Sequence, residues 1–284
     1  MNSQLLAADF GLSAKPANQP GGTNYAISGA KDAVSGGLGN LNPNPNLPST
    51  VGQIANYLTA HGGLADPKAL YVISSGGNDV TYANDNFTTL AAKETYLSGQ
   101  AAALASQIAT LQTAGARSLV VYGLQGSGTL PTFMASSFFS DLKTDGVNFT
   151  GIDIAGLIAE VEAHPASYGF TPATVLTGAV GTGTGSACVT ETGAGSTTAG
   201  WGQWCANTTT SSTLFAYLGS ANSEQTSFFS DDQHLSAAGQ LIEADFVLSN
   251  IQTPLPTTLP LFATGLVALG LLGWRRKRKV QAVA

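Results

Sequence analysis

Two short apolar runs with a long helix-forming stretch between them constrain this chain more than any other feature. The first, ALYVISSGGND over 69–79, is a compact apolar run that breaks into a glycine turn and polar side chains. The second, RSLVVYGL over 117–124, is equally apolar, and the stretch over roughly 88–113 is rich in Ala, Leu and Gln. Gly115 stands just past that stretch, where a helix C-terminus commonly needs a residue that tolerates positive φ. Strands that face water on one side alternate apolar and polar residues, and these do not. Strand, crossover helix and strand, both strands continuously apolar, predict a parallel sheet covered by helices on both faces.

The remaining pattern extends this α/β reading. Apolar spacing predicts a short helix over 3–12, with Leu5, Leu6 and Phe10 on its stripe, and another over 51–60, with Val51, Ile54, Ala55 and Leu58. Further helices are expected around 131–144, 154–163 and 235–249, the last carrying Leu235, Ala238, Leu241, Ile242 and Phe246. VNFTGID (147–153) reads as a short strand, and TNYAISGA (23–30) holds a brief β-like run within a loop-rich 13–50. Residues 165–212, dense in Gly, Ser and Thr, are expected to form a large surface excursion. A length of 284 residues suffices for one such domain over 1–250.

The C-terminal end has a different character. No charged residue occurs between Asp245 and Arg275, and LPLFATGLVALGLLGW (259–274) is an uncharged apolar run at the short end of membrane-spanning length. Trp274 and the cations Arg275, Arg276, Lys277, Arg278 and Lys279 follow, where an interface anchor and retention charges belong. Pro254, Pro256 and Pro260 separate this piece from the domain; the alternative, a buried core helix, sits poorly against RRKRK. These five cations are nearly half of the 11 Lys and Arg, so the preceding body sets 6 basic against 17 acidic residues. An acidic body has no electrostatic footprint for nucleic acid.

Residues 254–279 resemble the C-terminal sorting tails of bacterial envelope proteins, the Pro-Glu-Pro (PEP-CTERM) class and its Pro-Leu-Pro variants. Leu255 stands where the commoner motif has Glu. The resemblance implies export, transient anchoring in an inner membrane, and tail removal by a sorting peptidase. MNSQLLAADFGLSAKP is neither basic nor apolar enough for an export leader, so the expectation is a true start further upstream. In an exported protein the even pair Cys188 and Cys205 is expected to form a disulfide across CVTETGAGSTTAGWGQWC. Two cysteines without nearby histidines are poor zinc ligands.

Two clusters carry chemistry. GGND at 76–79 follows the first apolar strand, at the edge where open parallel sheets place their sites. There Asn78 is expected to aim amide hydrogens into a cleft, or else Asn78 and Asp79 merely cap the next turn. In SDDQHLSAAG (230–239), Asp231 and His234 have a spacing that lets one carboxylate orient an imidazole. The bland alternative is a helix-start histidine capped by Asp231. His61 and His164 precede Gly and Pro in loop-like contexts and read as surface residues.

Taken in order, NYAISGA, GGND and DDQH resemble three of the four blocks of the SGNH or GDSL-type esterases and lipases. PASYGF (165–170) ahead of a cysteine-bearing loop is like the larger bacterial members. The resemblance spans roughly residues 1–250 and implies a flavodoxin-like three-layer α/β/α sandwich. It implies Gly29 and Asn78 as oxyanion donors, His234 as general base and Asp231 as its orienting acid, with no cofactor or metal. Asp232 does not match the family's acid position.

The family's first block, a Gly-Asp-Ser turn after an interior first strand, has no counterpart ahead of NYAISGA, and there is no Gly-x-Ser-x-Gly elbow. Ser28, Ser74 and Ser75 are the nearest alternatives, each beside an expected oxyanion donor. The expectation is therefore that the first strand and the nucleophilic Ser lie upstream of this chain. The activity implied is hydrolysis of a small-molecule or glycan ester by acyl transfer. The alternatives are an inactive envelope binding or matrix protein on the same scaffold, and a polysaccharide O-acetyl esterase.

Overall fold

The computed structural model describes residues 2–38, 44–126, 128–175, 188–190, 215–217, 223–229 and 234–251. Three strands, β1 (Leu70–Ile73), β2 (Ser118–Tyr122) and β3 (Thr150–Ile152), form a parallel sheet in the order β1-β2-β3. Leu70 pairs with Ser118 and Ile73 with Val121, and Tyr122 pairs with Ile152. β2 has partners on both sides, and Leu119, Val120, Val121 and Tyr122 are all buried. β1 has one partner among the described residues, and Leu70, Tyr71 and Val72 are only half-buried. Alternation along a strand sends Leu119 and Val121 to one face and Val120 and Tyr122 to the other. Burial of both sets is what the unbroken apolar run predicts.

On the first face lie helices α2 (Thr50–Ala60), α3 (Gly77–Asn86), α4 (Leu90–Thr113) and α5 (Thr129–Thr144). α4 places Leu97, Ala101, Leu104, Ala105, Ile108 and Leu111 on one fully buried stripe, at the i, i+3/i+4 spacing of a helix face. Phe138, Met134 and Leu142 of α5 meet that stripe in one core with Leu119 and Val121. Each buried leucine contributes about 1.5–3 kcal/mol of apolar burial. Gly115 ends α4 at φ +126°, and a Cβ there would lie 2.8 Å from the Ala65 carbonyl oxygen, so the cap also permits a close chain crossing. α3 was not foreseen: the glycine turn of GGND starts a separate 10-residue helix before α4.

The opposite side carries α1 (Asn2–Asp9), α6 (Ile154–Ala163), the short α7 (Ser223–Thr226) and α8 (Ala237–Asn250). α8 packs on α1, α6 and β3. Its buried residues are Gly239, Glu243, Ala244 and Val247. The charge of Glu243 reaches Tyr122, whose phenol is pushed well above its usual range by burial first and that charge second. The result is the three-layer α/β/α architecture with a parallel sheet expected from sequence.

Details of the helical stripes differ from periodicity alone. α1 ends at Asp9, a turn before the expected stop, so Phe10 falls outside the stripe and is 42% exposed. In α2 the buried set is Gln53, Ile54 and Leu58, leaving Ala55 exposed. The Gln53 amide satisfies itself on the Pro48 carbonyl at 3.2 Å, which makes a polar residue tolerable on the inner face. In α8, Leu241 is 50% exposed because Glu243 occupies the inner face instead. The β-like run in TNYAISGA reduces to one bridge between Pro16 and Asn24. Nor is 165–175 an excursion: Phe170 and Val175 are buried against Leu157, Val161, Phe228 and Leu235.

β4 (Cys188–Thr190) and β5 (Phe215–Tyr217) pair antiparallel. Cys205 lies outside the described residues, and with it the expected Cys188–Cys205 disulfide. The chain divides into two units, Met1–Asn250 and Ile251–Ala284. The apolar run 259–274 falls outside the described residues, among which no helix is long and apolar enough to cross a membrane.

Candidate active site

The site is built at the C-terminal end of β1. Ile73 closes the strand, Ser74 and Ser75 follow, and Gly76 turns the chain at φ +106° into α3. That φ, with the Leu124 Cδ1 atom 3.1 Å from where a Cβ would sit, requires glycine. The turn sets Asn78 on the first turn of α3, half-buried. Its Nδ2 donates to the Ala30 carbonyl oxygen at 2.7 Å. Ala30 closes a turn with its N–H on the Ile27 carbonyl, and Gly29 inside that turn adopts φ +81°. Gly29 and Asn78, far apart in sequence, are thus brought to one place. The Gly29 N–H has no hydrogen-bond partner among the described residues. An amide nitrogen carries two hydrogens, so the Asn78 bond to Ala30 uses one of them.

Asn78 and Asp79 therefore do not cap α3. Gly76 is the N-cap residue, without a side-chain cap, and the carboxylate of Asp79 turns inward and is fully buried. Its Oδ2 accepts the Asp32 N–H at 2.8 Å and its Oδ1 accepts the Tyr96 hydroxyl at 2.9 Å. Asp32 is fully buried too, and its Oδ1 accepts the Ser75 hydroxyl. Ser75 has one proton and gives it to Asp32, so the 2.7 Å contact with Thr50 has the Thr50 hydroxyl as donor. Asp32 Oδ2 is buried with no hydrogen-bond partner among the described residues.

Burial dominates the electrostatics of this pair. It lifts the Asp79 carboxyl to about 6, against the pull of the Asp32 N–H, the Tyr96 hydroxyl and the Lys31 charge. Asp32 is pushed well above the usual carboxylate range by burial first and the neighbouring Asp79 charge second. Lys31 is 5% exposed and lays its ammonium 4.3 Å from the centre of the Tyr82 ring, a cation–π seat for a buried charge.

The second cluster is partly described. Ser227–Phe229 and Leu235–Ser236 are fastened together: Ser236 N donates to Phe228 O at 3.0 Å, and Phe229 bridges Leu235. Ser236 Oγ accepts the Gly239 N–H at 3.1 Å, capping the start of α8. His234 is an exposed residue at the foot of this stem. Asp231 and Asp232 lie outside the described residues. The other histidines are engaged elsewhere. His61 Nδ1 lies 2.8 Å from the Tyr57 carbonyl at the C-terminus of α2, and His164 Nδ1 lies 3.0 Å from Glu160 at that of α6. Thr50, at the α2 N-terminus, touches Ser75, and 11 residues of helix span about 16 Å. His61 therefore sits at the other end of the sheet.

Sequence reasoning missed Asp32, Tyr96 and Gln100, and read Asp79 only as a possible cap. The one signal was compositional: with 10% charged residues overall, an acid in SGAKD next to a glycine turn is unusual. Burial of a loop residue has no periodicity from which to read it.

Residues 2–247 match the family model for GDSL-like lipases and acylhydrolases. The chain belongs to that family. It is 25% identical over 277 residues to an uncharacterized protein of Pseudomonas putida from the trpE-trpG intergenic region, covering 88% of this chain and 42% of that protein. It is 32% identical over 148 residues to Lipase 1 of Photorhabdus luminescens, covering 52% of this chain and 20% of the lipase. The matches thus take in less than half the length of either relative.

Proposed function

We propose that the protein hydrolyses carboxylic esters by two-step serine acyl transfer, with Gly29 N–H and the second Asn78 amide hydrogen holding the oxyanion. The observation that carries this reading is the Asn78–Ala30 hydrogen bond, which seats the Gly29 turn beside Asn78 at the C-terminal end of β1. Two neutral donors aimed at one point stabilise the charge of a tetrahedral intermediate. His234 takes the proton of the nucleophile and returns it to the leaving alcohol, and Asp231 orients the imidazole. Water then hydrolyses the acyl-enzyme.

The nucleophile in this reading is a serine on sequence preceding this chain. Support comes from the sheet: among the described residues β1 is an edge strand with one parallel partner, so its other side can take a further strand. A strand added there would end next to Asn78. Ser75 is a poor substitute, because its proton is committed to Asp32. Labelling the full-length protein with a fluorophosphonate and mapping the modified serine tests this directly. The reading expects a label on a serine ahead of Met1, lost in His234→Ala. A label on Ser28, Ser74 or Ser75 would relocate the nucleophile, and no label at all would favour an inactive scaffold.

The apolar run 259–274 and its basic flank are proposed to hold the protein transiently in a bacterial inner membrane during export, until a sorting peptidase removes the tail. The Cys188–Cys205 disulfide belongs to the same reading of an exported protein.

A further inference from the structure

We propose that Asp79, acting through Asp32, is a positioning residue for the oxyanion pocket: it fixes the Gly29–Ala30 turn against Asn78. This rests on the ester-hydrolase reading above. An aspartate in the first turn of a helix ordinarily stabilises free N–H groups at that end. This is at most a minor role of Asp79: its own N–H and that of Val80 go to the Gly76 carbonyl, and its carboxylate, which feels its own N–H only weakly, faces the interior. Burying a carboxylate beside a second buried carboxylate is costly, and helix formation does not require it.

What the carboxylate does is hold a loop. Residues 30–33 have no regular structure, yet their polar groups go to four different elements. Ala30 O accepts from Asn78 of α3; Lys31 O and Asp32 O accept the Thr50 and Val51 N–H groups of α2, both at 2.9 Å. Asp32 N donates to Asp79 of α3, and Ala33 N donates to Gln100 of α4 at 3.1 Å. The Asp32 carboxylate adds Ser75 at the end of β1. Asp79 also reaches α4 through the Tyr96 hydroxyl. The groups facing the pair are thus Lys31 and each other, Ser75 and Thr50, and Tyr96. Gly29 lies three residues before Asp32, with a left-handed φ and no hydrogen bond from its N–H to any described residue. The direction of that donor therefore depends on how firmly residues 30–33 are held. Asn78 and Asp79, adjacent on one helix turn, grip the same loop at two points.

Removing the Asp79 carboxylate frees the Asp32 N–H and the Tyr96 hydroxyl together. The expected result for Asp79→Ala in the full-length protein is a kcat lower by up to about a hundredfold, the scale of a 1 Å misplacement of a catalytic group. KM for a short-chain aryl ester should change by less than about threefold, since the lost interaction matters chiefly in the transition state. Asp79→Asn should recover most of the loss, because its carbonyl still accepts the Asp32 N–H. Amide hydrogen exchange should be faster at Asp32 and Ala33 in Asp79→Ala and unchanged at Val120 and Val121. Tyr96→Phe, which removes one donor and leaves no large void, should give the same pattern more weakly and serves if Asp79→Ala does not fold. Wild-type kcat in Asp79→Ala, or an unchanged Asp32 amide, overturns the proposal. Equal loss in Asp79→Asn and Asp79→Ala without faster exchange overturns it too. An inactive wild-type protein is a different result: it refutes the ester-hydrolase reading, while the Asp32 amide still decides whether the grip exists.

Discussion

Acid should stabilise this fold relative to an Asp79→Asn variant, and the size of the effect follows from the buried pair. In the folded protein the Asp79 carboxyl is held at about 6 against 3.8 for the isolated group, chiefly because no water reaches it. That difference is worth about 3 kcal/mol at roughly 1.36 kcal/mol per unit. The sign follows from which state holds the proton more tightly. The folded state does, so the contribution is complete below about pH 4 and is lost as pH rises through about 6. Asp32 is displaced in the same direction, by burial and by the Asp79 charge, so it reinforces the trend. Urea unfolding at a series of pH values, for wild type and Asp79→Asn, isolates the effect as a difference between two curves. The wild type should lose about 2–3 kcal/mol against the variant between pH 4 and pH 7, with half of the whole change complete by about pH 5. A flat difference, or one in which wild type gains with rising pH, would mean that Asp79 is solvated or tightly paired as an anion, and would refute the buried-pair account.

Other perturbations test other layers. Leu104→Ala, at a site of zero exposure on the α4 stripe, should destabilise by about 2–5 kcal/mol in the same unfolding assay. Gly76→Ala should destabilise and also lower activity, because a Cβ at φ +106° meets Leu124 and disturbs the turn that presents Asn78; a silent substitution would argue against that strain. Asp231→Asn should reduce kcat strongly with KM nearly intact, and Asp232→Asn much less, in steady-state ester hydrolysis by the full-length protein. Deletion from Thr253 onward should remove membrane association in a fractionation experiment and leave the circular dichroism of the domain unchanged per residue.

Much of the architecture was legible because it rests on patterns with a period. The apolar runs at 69–79 and 117–124 and the helix between them fix a parallel sheet, since only a sheet covered on both faces can bury every residue of VVY. α6 could be read to its ends, and the structure adds Asp153 as its cap. What escaped was whatever depends on partners distant in sequence. Gln53 and Glu243 look like surface residues until Pro48 and Tyr122 are seen beside them. The start of α3 was hidden because a glycine turn reads as punctuation, with nothing to show that Gly76 both ends a strand and begins a helix. At the site, short motifs located Gly29 and Asn78 as separate fragments. Their connection through Ala30, and the buried Asp32–Asp79 pair beneath it, join residues 48 and 47 positions apart in the chain. No local pattern encodes a contact of that range between a loop and the first turn of a helix.

The most direct test of the proposed chemistry is the turnover of a short-chain aryl ester by the full-length protein and by its Asn78→Ala variant. Loss of one oxyanion donor should lower kcat by about 10²–10³-fold, or about 2.7–4 kcal/mol, while substrate binding stays nearly the same. A wild-type enzyme that turns over, paired with an Asn78→Ala variant within a few fold of it, would contradict the oxyanion pocket and with it the role given to the Gly29 turn.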